Sequence, residues 1–330
     1  MLNHSITLSV IIPLYNKSGT IESCIRSVLA QTKTPDEIII VDDGSTDNSV
    51  DIAKSVLKSH VSHYKIVSQS NMGVSSARNR GAMLATSEYL AFLDADDEWL
   101  PIFCEKMCDL IKSFPDGVLF SCRHKIQDYE TGAYTAALNI TSGFRGYIKD
   151  FFDASKKDSI VNSSKCIVGR QTFLSSGGFP INASAGEDLF LWIDLALRGP
   201  IVFHDFIGCV VNRFPDASRH GRRGSIPYPL TYYSQNKVEA ERLPASAKNF
   251  LWRIARNNVI ISLMRGDQLE AKLRLETARQ IFPIRSMLLV IAFHIPINLM
   301  IAVRILRRRI FSQRYFSVLK NCPEDTHKNS

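Results

Sequence analysis

LAFLDADDEW, Leu90 to Trp99, runs from a strand-sized apolar stretch into the carboxylates Asp94, Asp96 and Asp97, followed by Glu98. Like charges so closely spaced repel one another, so the cluster is either a solvated turn or a place that expects a cation. The apolar part, Tyr89 to Leu93, has the length of a buried strand and delivers the acids at its C-terminal end. The same construction precedes it twice. TLSVII (Thr7–Ile12) is a β-branched run stopped by Pro13, and EIIIV (Glu37–Val41) is stopped by DDGSTD. A shorter strand is expected over His63–Val67.

Helical patterns fill the intervals. Gly19–Ala30 carries Ile21, Cys24, Ile25, Val28 and Leu29 on one face, Asp47–Leu57 begins at a cap of Asp47 or Asn48, and Val74–Ala85 follows. Strands and helices in alternation, with strands apolar on both faces, indicate a parallel sheet covered on both sides. Ligands of such sheets sit at the carboxyl ends of the strands. The polar segments 13–17, 42–47 and 94–97 are therefore expected to meet in one crevice.

Past Pro101 the pattern loosens into a helix, short strands and polar turns, until GGFP (Gly177–Pro180) marks a turn. GEDLFLWIDLALRG (Gly186–Gly199) reads as a helix with Leu189, Trp192, Ile193 and Leu197 inward. Glu187 and Asp188 at its front suit the positive end of the helix dipole, so simple capping accounts for them as residues alone. From Phe214 the composition turns to Arg, Ser, Pro and Tyr, a linker or mobile loop, and helical periodicity returns over Ala247–Ile281. The expected fold class is α/β: a Rossmann-like, mostly parallel central sheet flanked by helices over residues 1–215, then a mainly helical C-terminal region over 216–330.

Hydrophobic and charged fractions of 45% and 22% are those of an ordinary globular chain. The net charge of +8 invites a nucleic-acid reading, but eight Lys/Arg against two acids from Arg285 onward place +6 of it in the tail. The body is close to neutral, and no nucleic-acid partner is expected. MLNHSITLSVIIPLYN lacks a basic n-region and a small-residue cleavage site, so a cytoplasmic start is expected. Seven cysteines, Cys24, Cys104, Cys108, Cys122, Cys166, Cys209 and Cys322, include no CxxC pair. The grouping Cys104, Cys108, Cys122 and His124 lacks zinc-module spacing, and reduced, buried thiols are the expectation. His204 and His220 have no partner pattern and read as structural or surface residues.

Neither GxGxxG nor GxxxxGK[ST] occurs, so there is no glycine-rich phosphate cradle. A carboxylate after the second strand can accept from ribose hydroxyls or a base N–H, or belong to an Asp-rich turn. Asp94 and Asp96 are one residue apart, and alternate side chains of an extended segment point the same way. Mg²⁺ or Mn²⁺ is bound by one or two carboxylates together with phosphate oxygens and water. The pair is thus a partial site that a diphosphate ligand completes, or else an acidic turn capping the helix near Pro101. Asp97 and Glu98 read as helix-front acids.

SVIIPLYN, VDDGSTDNS, QSNMGVSSARNRGA, YLAFLDADDEWL and GEDLFLW occur in this order, and residues 7 to 200 resemble the inverting family-2 glycosyltransferases with the GT-A fold. The resemblance implies a nucleotide-sugar donor across the crevice, a UDP-sugar from the family's habit. It implies Pro13, Tyr15 and Asn16 bordering the nucleoside, Asp43 on the base, Arg78 close to the nucleotide and Asp94 near the ribose. Asp96 would be the principal ligand of Mg²⁺ or Mn²⁺ bridging the diphosphate, with Asp94 beside it. The acceptor's proton would go to the Asp of the ED pair, Asp188, with Glu187 as competitor. GGFPINAS departs from the acidic pair that often follows GGF in relatives, so no acceptor contacts carry over. The QxxRW signature of processive synthases is absent after the ED pair, which favours transfer of one sugar per acceptor; the expected acceptor is a glycan or lipid-linked hydroxyl, in surface polysaccharide biosynthesis. A sugar nucleotidyltransferase would need a glycine-rich basic loop where PLYNKSG stands, and a non-catalytic scaffold would not need both DADD and ED.

Ser286–Val303 (SMLLVIAFHIPINLMIAV) is nearly continuous apolar sequence followed by RILRRRI. Its length is at the lower edge for a spanning helix, and His294, Pro296 and Asn298 count against a span. The expectation is an interfacial or re-entrant anchor over about 281–315, with Arg304 and Arg307 to Arg309 on anionic lipid. The alternatives are a buried core helix and a true span. The protein is expected at the inner face of the cytoplasmic membrane.

Overall fold

The computed structural model describes residues 5–58, 63–135, 138–214, 224–296 and 298–300. The chain forms two compact units. The first takes residues up to Pro229 together with Leu243–Phe250, and the second takes Leu230–Arg242 and the chain from Leu251. The division thus falls later than the expected 215/216.

In the first unit the order is β1 (Leu8–Leu14), α1 (Ile21–Leu29), β2 (Glu37–Asp42), α2 (Ser49–Lys58), β3 (Tyr64–Ser68), α3 (Val74–Leu84) and β4 (Tyr89–Phe92). Then come β5 (Glu98–Trp99), α4 (Phe103–Ser113), β6 (Leu119–Asp128), β7 (Gly132–Thr135), β8 (Arg145–Tyr147) and α5 (Phe151–Ala154). β9 (Cys166–Gly169), α6 (Arg170–Ser175), α7 (Glu187–Arg198) and β10 (Ile201–Arg213) follow. The sheet order is β3-β2-β1-β4-β9-β6-β10-β5, with β7 on β6 and β8 on β10. From β3 to β4 every pairing is parallel, as the apolar runs required. Beyond β4 the sheet is mixed, because β9 runs antiparallel to both β4 and β6 while β10 is parallel to β6.

All residues of β1 and β2 are buried, and Ile21, Cys24, Ile25 and Val28 of α1 pack on the sheet at the spacing read from the sequence. Each such fully buried aliphatic side chain contributes roughly 1.5–3 kcal/mol relative to exposure. Two expectations need correction. Pro13 does not end β1: it pairs with Val41, and the strand runs on to Leu14. Ile11 O accepts from Leu93 N, so Pro13, two residues on, faces the same side past the last β4 pair, Ile11↔Phe92. Its missing N–H therefore costs no ladder bond. Nor do Asp97 and Glu98 front a helix. Glu98 lies in β5, antiparallel to β10, Asp97 is 4% exposed, and α4 begins only at Phe103. The six described cysteines are free and buried, and burial pushes the Cys122 thiol up to about 12. His204 has its pKa lowered by burial, and His220 lies outside the described residues.

The C-terminal helices are α8 (Tyr228–Gln235), α9 (Lys237–Arg242), α10 (Ala245–Met264), α11 (Gln268–Ile281) and α12 (Pro283–Ala292). Val259, Leu263, Ala271, Leu275 and Leu289 form the second unit's own core. Opposite Leu289, α12 leaves Ile284, Met287, Leu288 and Ile291 exposed at i, i+3, i+4 and i+7. Among the described residues no helix is long and apolar enough to cross a membrane. Ile297, residues 301–303 and the arginines 304 and 307–309 lie outside the described residues.

Candidate active site

The carboxyl ends of β1, β2 and β4 open onto a cleft of about 680 Å³. Pro13, Tyr15, Asn16, Asp43, Arg78, Asp94 and Asp96 all line it, so seven positions named from the sequence come together. After β1 the chain turns at Asn16, which adopts φ +50°, a conformation Asn tolerates better than most residues. Ser45 Oγ accepts from Asn16 N, and Thr46 N donates to Asn16 Oδ1 at 2.8 Å, which fastens the turn to the loop after β2.

Asp43 is 4% exposed. Its Oδ1 accepts from Gln69 Nε2 and Met72 N at 2.8 and 2.9 Å, and Oδ2 accepts from Gly73 N at 2.8 Å. Two acceptor positions per oxygen leave one unused at Oδ2. The group thus orders the segment that opens α3 and keeps one acceptor for a ligand. Asp42 is a turn residue, accepting from Ser45 N at 2.9 Å.

α3 carries Arg78, 4% exposed, to the middle of the cleft wall. Its Nη2 donates to Asp94 Oδ1, and Nη1 stands 3.8 Å from Glu187 Oε1. Burial works against the charge, but Asp94, then Glu187 and Asp188, hold the guanidinium above its ordinary pKa. Nε and Nη1 are buried without a hydrogen-bond partner among the described residues, an uncommon state for such groups. The Phe179 ring lies 5.0 Å from the guanidinium carbon and packs on Phe92, Phe173 and Trp192. Asn79, next to Arg78, bonds both N and O of Phe179 at 2.9 and 2.7 Å. GGF, which offered no acceptor contact, is here the support beneath Arg78. Gly178 must be glycine: φ is +70°, and a Cβ would lie 2.5 Å from Asn79 Oδ1.

Asp94 and Asp96 face the cleft, each with a cation: Arg78 for Asp94, and Lys17, 2.7 Å from Oδ2, for Asp96. Asp97 turns inward. Its Oδ2 accepts from Ser164 Oγ and its Oδ1 from Asn212 N at 2.9 Å, while burial, then Asp94 and Asp96, push its pKa well up. Asn212 Nδ2 also donates to Asp96 O at 2.9 Å. Asp97 therefore anchors the acidic loop to β10, leaving two carboxylates for a ligand. Among the described residues no three His, Cys, Asp or Glu side chains gather in a way that could hold a metal. The donor set fits a hard cation as a half-site: two hard carboxylate donors, one already drawing a side-chain ammonium to 2.7 Å, with further oxygens to come from a ligand.

α7 begins with Glu187 after Gly186, at φ +75°, where a Cβ would lie 3.3 Å from the Pro227 side chain. Tyr228 N donates to Ala185 O at 2.8 Å, and the Phe190 and Tyr228 rings pack edge to face, bracing the helix start. Glu187 is 6% exposed and turned to Arg78. Asp188 is half-buried, and its pKa is raised by burial and then by Glu187, against the pull of Arg78. Its Oδ1 accepts from Leu189 N at 2.7 Å. Neither acid is among the residues lining the cleft; both adjoin it through Arg78. Sequence reasoning placed Lys17 at the crevice, within segment 13–17, without giving it a role, and it missed Phe179, Ser164 and Asn212.

Comparison with known proteins gives the family. The family "Glycosyl transferase family 2" matches residues 9–177. A protein of Escherichia coli strain K12, "Uncharacterized glycosyltransferase YibD", is 50% identical over 107 residues, 32% of this chain and 31% of that protein. "Putative glycosyltransferase EpsH" of Bacillus subtilis strain 168 is 36% identical over 125 residues, 38% of this chain and 36% of that protein. The chain thus spans about a third of the length of these relatives. S. aureus TarS 1–349 in complex with UDP-GlcNAc superposes with a TM-score of 0.65 at 17% identity, over 85% of this chain and 83% of that one. With the match covering just over half of its 330 residues, the chain belongs to glycosyl transferase family 2 and has the GT-A fold.

Proposed function

We propose that the protein is an inverting, non-processive transferase that moves one sugar from a UDP-sugar to a hydroxyl of a glycan or lipid-linked acceptor in surface polysaccharide biosynthesis. The observation that carries this is the convergence of Asp43, Arg78, Asp94 and Asp96 on one cleft at the strand ends. UDP is favoured because the TarS structure similar to this chain holds UDP-GlcNAc.

Pro13, Tyr15 and Asn16 border the nucleoside, and the unused acceptor position of Asp43 takes a base N–H. Asp94, oriented by Arg78, takes a ribose hydroxyl. Asp96, with Asp94 beside it, would hold Mg²⁺ or Mn²⁺, which when bound supplies positive charge against the departing diphosphate. The acceptor oxygen attacks the anomeric carbon from the face opposite the diphosphate. The carbon–oxygen bond to the diphosphate breaks with its electron pair, and the hydroxyl proton passes to a carboxylate. Asp188 is assigned that role, since Glu187 is committed to Arg78. The raised pKa of Asp188 brings it closer to what a base near neutral pH needs. Asp188→Asn with its fold verified should lose transfer while keeping UDP binding; near-normal transfer removes Asp188 from the mechanism.

Attachment to the inner face of the cytoplasmic membrane is part of the same reading. It is supported by the four exposed apolar side chains of α12 and by the basic run that follows it in sequence. Co-sedimentation with phosphatidylglycerol vesicles at low salt, relieved by high salt, is the expected result. No pelleting at low salt overturns the attachment.

A further inference from the structure

Lys17 has no part in the transfer just described, yet the fold holds it firmly. It follows the left-handed Asn16, and its N–H donates to Ser49 Oγ at 2.7 Å. The next N–H, of Ser18, donates to Asp47 Oδ2 at 3.0 Å. Main chain fixed in this way sends the side chain across the mouth of the cleft, from the end of β1 to the loop after β4. There Nζ meets Asp96 Oδ2 at 2.7 Å, with the two side chains 28% and 27% exposed. The two acid–cation pairs of the cleft are unlike. Arg78 is 5% exposed at its side chain, rests on Phe179 and cannot withdraw from Asp94. Lys17 is a point charge on a flexible stem beside open space.

We propose that Lys17 is an exchangeable counter-ion: it neutralises Asp96 while the donor site is empty, and it passes to the donor's diphosphate when a divalent cation takes its place on Asp96. The inference rests on the reading of the cleft as a UDP-sugar site. Arg78 faces Asp94 and, at 3.8 Å, Glu187, whereas Lys17 faces Asp96. A divalent cation arriving alone must displace a tethered ammonium and adds two positive charges to the cleft. A diphosphate arriving with it supplies the compensating charge and a new partner for the released ammonium. Metal and nucleotide then bind as a coupled pair, each raising the other's affinity by the same factor. Lys17 is thus a positioning residue that sets the coupling between metal and donor.

The test compares wild type with Lys17→Met and Lys17→Arg, using Mn²⁺ titrations followed by the electron paramagnetic resonance of free Mn²⁺, and calorimetry with UDP and UMP. Without nucleotide, Lys17→Met should bind Mn²⁺ about two- to fivefold more tightly, the scale of one partly exposed ion pair. With Mn²⁺ present it should bind UDP more weakly by at least a similar factor. UMP, which lacks the bridging diphosphate, should lose little, and Lys17→Arg should recover most of the UDP affinity. Unchanged Mn²⁺ and UDP affinities in Lys17→Met overturn the exchange. UDP binding by wild type that is indifferent to Mn²⁺ also overturns it, while leaving the donor site in place. Failure of wild type to bind UDP at all overturns the donor reading itself.

Discussion

Lys165 is fully buried, and its ammonium donates to Ser159 O at 3.3 Å. Burial lowers its pKa from 10.5 to about 8, only partly opposed by the Cys122 thiol and Asp158. The unfolded chain holds this proton more tightly than the folded one, so the penalty is complete below about pH 8. It fades as pH rises toward the unfolded value, and stability from this group therefore increases with pH across that window. At about 1.4 kcal/mol per pKa unit, the shift from 10.5 to about 8 corresponds to about 3 kcal/mol. Lys165→Met keeps most of the side-chain volume and removes the charge, at the loss of one long hydrogen bond worth about 1 kcal/mol. The variant should be more stable than wild type by about 2 kcal/mol near pH 7 and less stable by about 1 kcal/mol once the lysine is neutral in both states. Urea unfolding at the two pH values measures this. Trp99 is a suitable fluorescent reporter, since its Nε1 donates to Ser164 O, beside Lys165. A stability difference between variant and wild type that does not change with pH refutes the reasoning.

Other expectations follow from the site and its supports. Asp188→Asn should lower transfer by about 10²–10⁴-fold, the usual contribution of a general base, with the UDP dissociation constant unchanged by calorimetry. Gly178→Ala forces a left-handed residue to carry a Cβ against Asn79, and should cost about 1–3 kcal/mol in thermal or urea unfolding. It should also weaken UDP binding, because Phe179 supports Arg78. Asp97→Ala leaves Ser164 Oγ and Asn212 N without the acceptor they now share, and should destabilise by about 1–3 kcal/mol. Measured unfolding equal to wild type for Asp97→Ala would mean that this loop is not anchored as described.

The parallel half of the sheet was legible because β1, β2 and β4 are buried on both faces or nearly so, which forces uninterrupted apolar runs. The antiparallel half was not. β5 has two residues and β9 four, too short for any periodicity, and their places depend on partners far along the chain. The lining of the cleft was readable for the same topological reason as the strands, since polar residues directly after buried strands must lie at one edge. What the sequence hides is which of three neighbouring aspartates turns inward. Asp97 differs from Asp94 and Asp96 through Ser164 and Asn212, 67 and 115 residues away, which no local pattern reports. Likewise, the pairing of Lys17 with Asp96 spans 79 residues.

The central claim is that Asp94 and Asp96 form half of a cation site completed by the donor's diphosphate. Its most direct test is calorimetry of UDP with and without Mn²⁺, on wild type and Asp96→Asn. Tight UDP binding that needs Mn²⁺ in wild type, and that no longer responds to Mn²⁺ in Asp96→Asn, is the predicted result. Equal UDP affinity with and without Mn²⁺ in wild type, or an Mn²⁺ response that survives in Asp96→Asn, contradicts it.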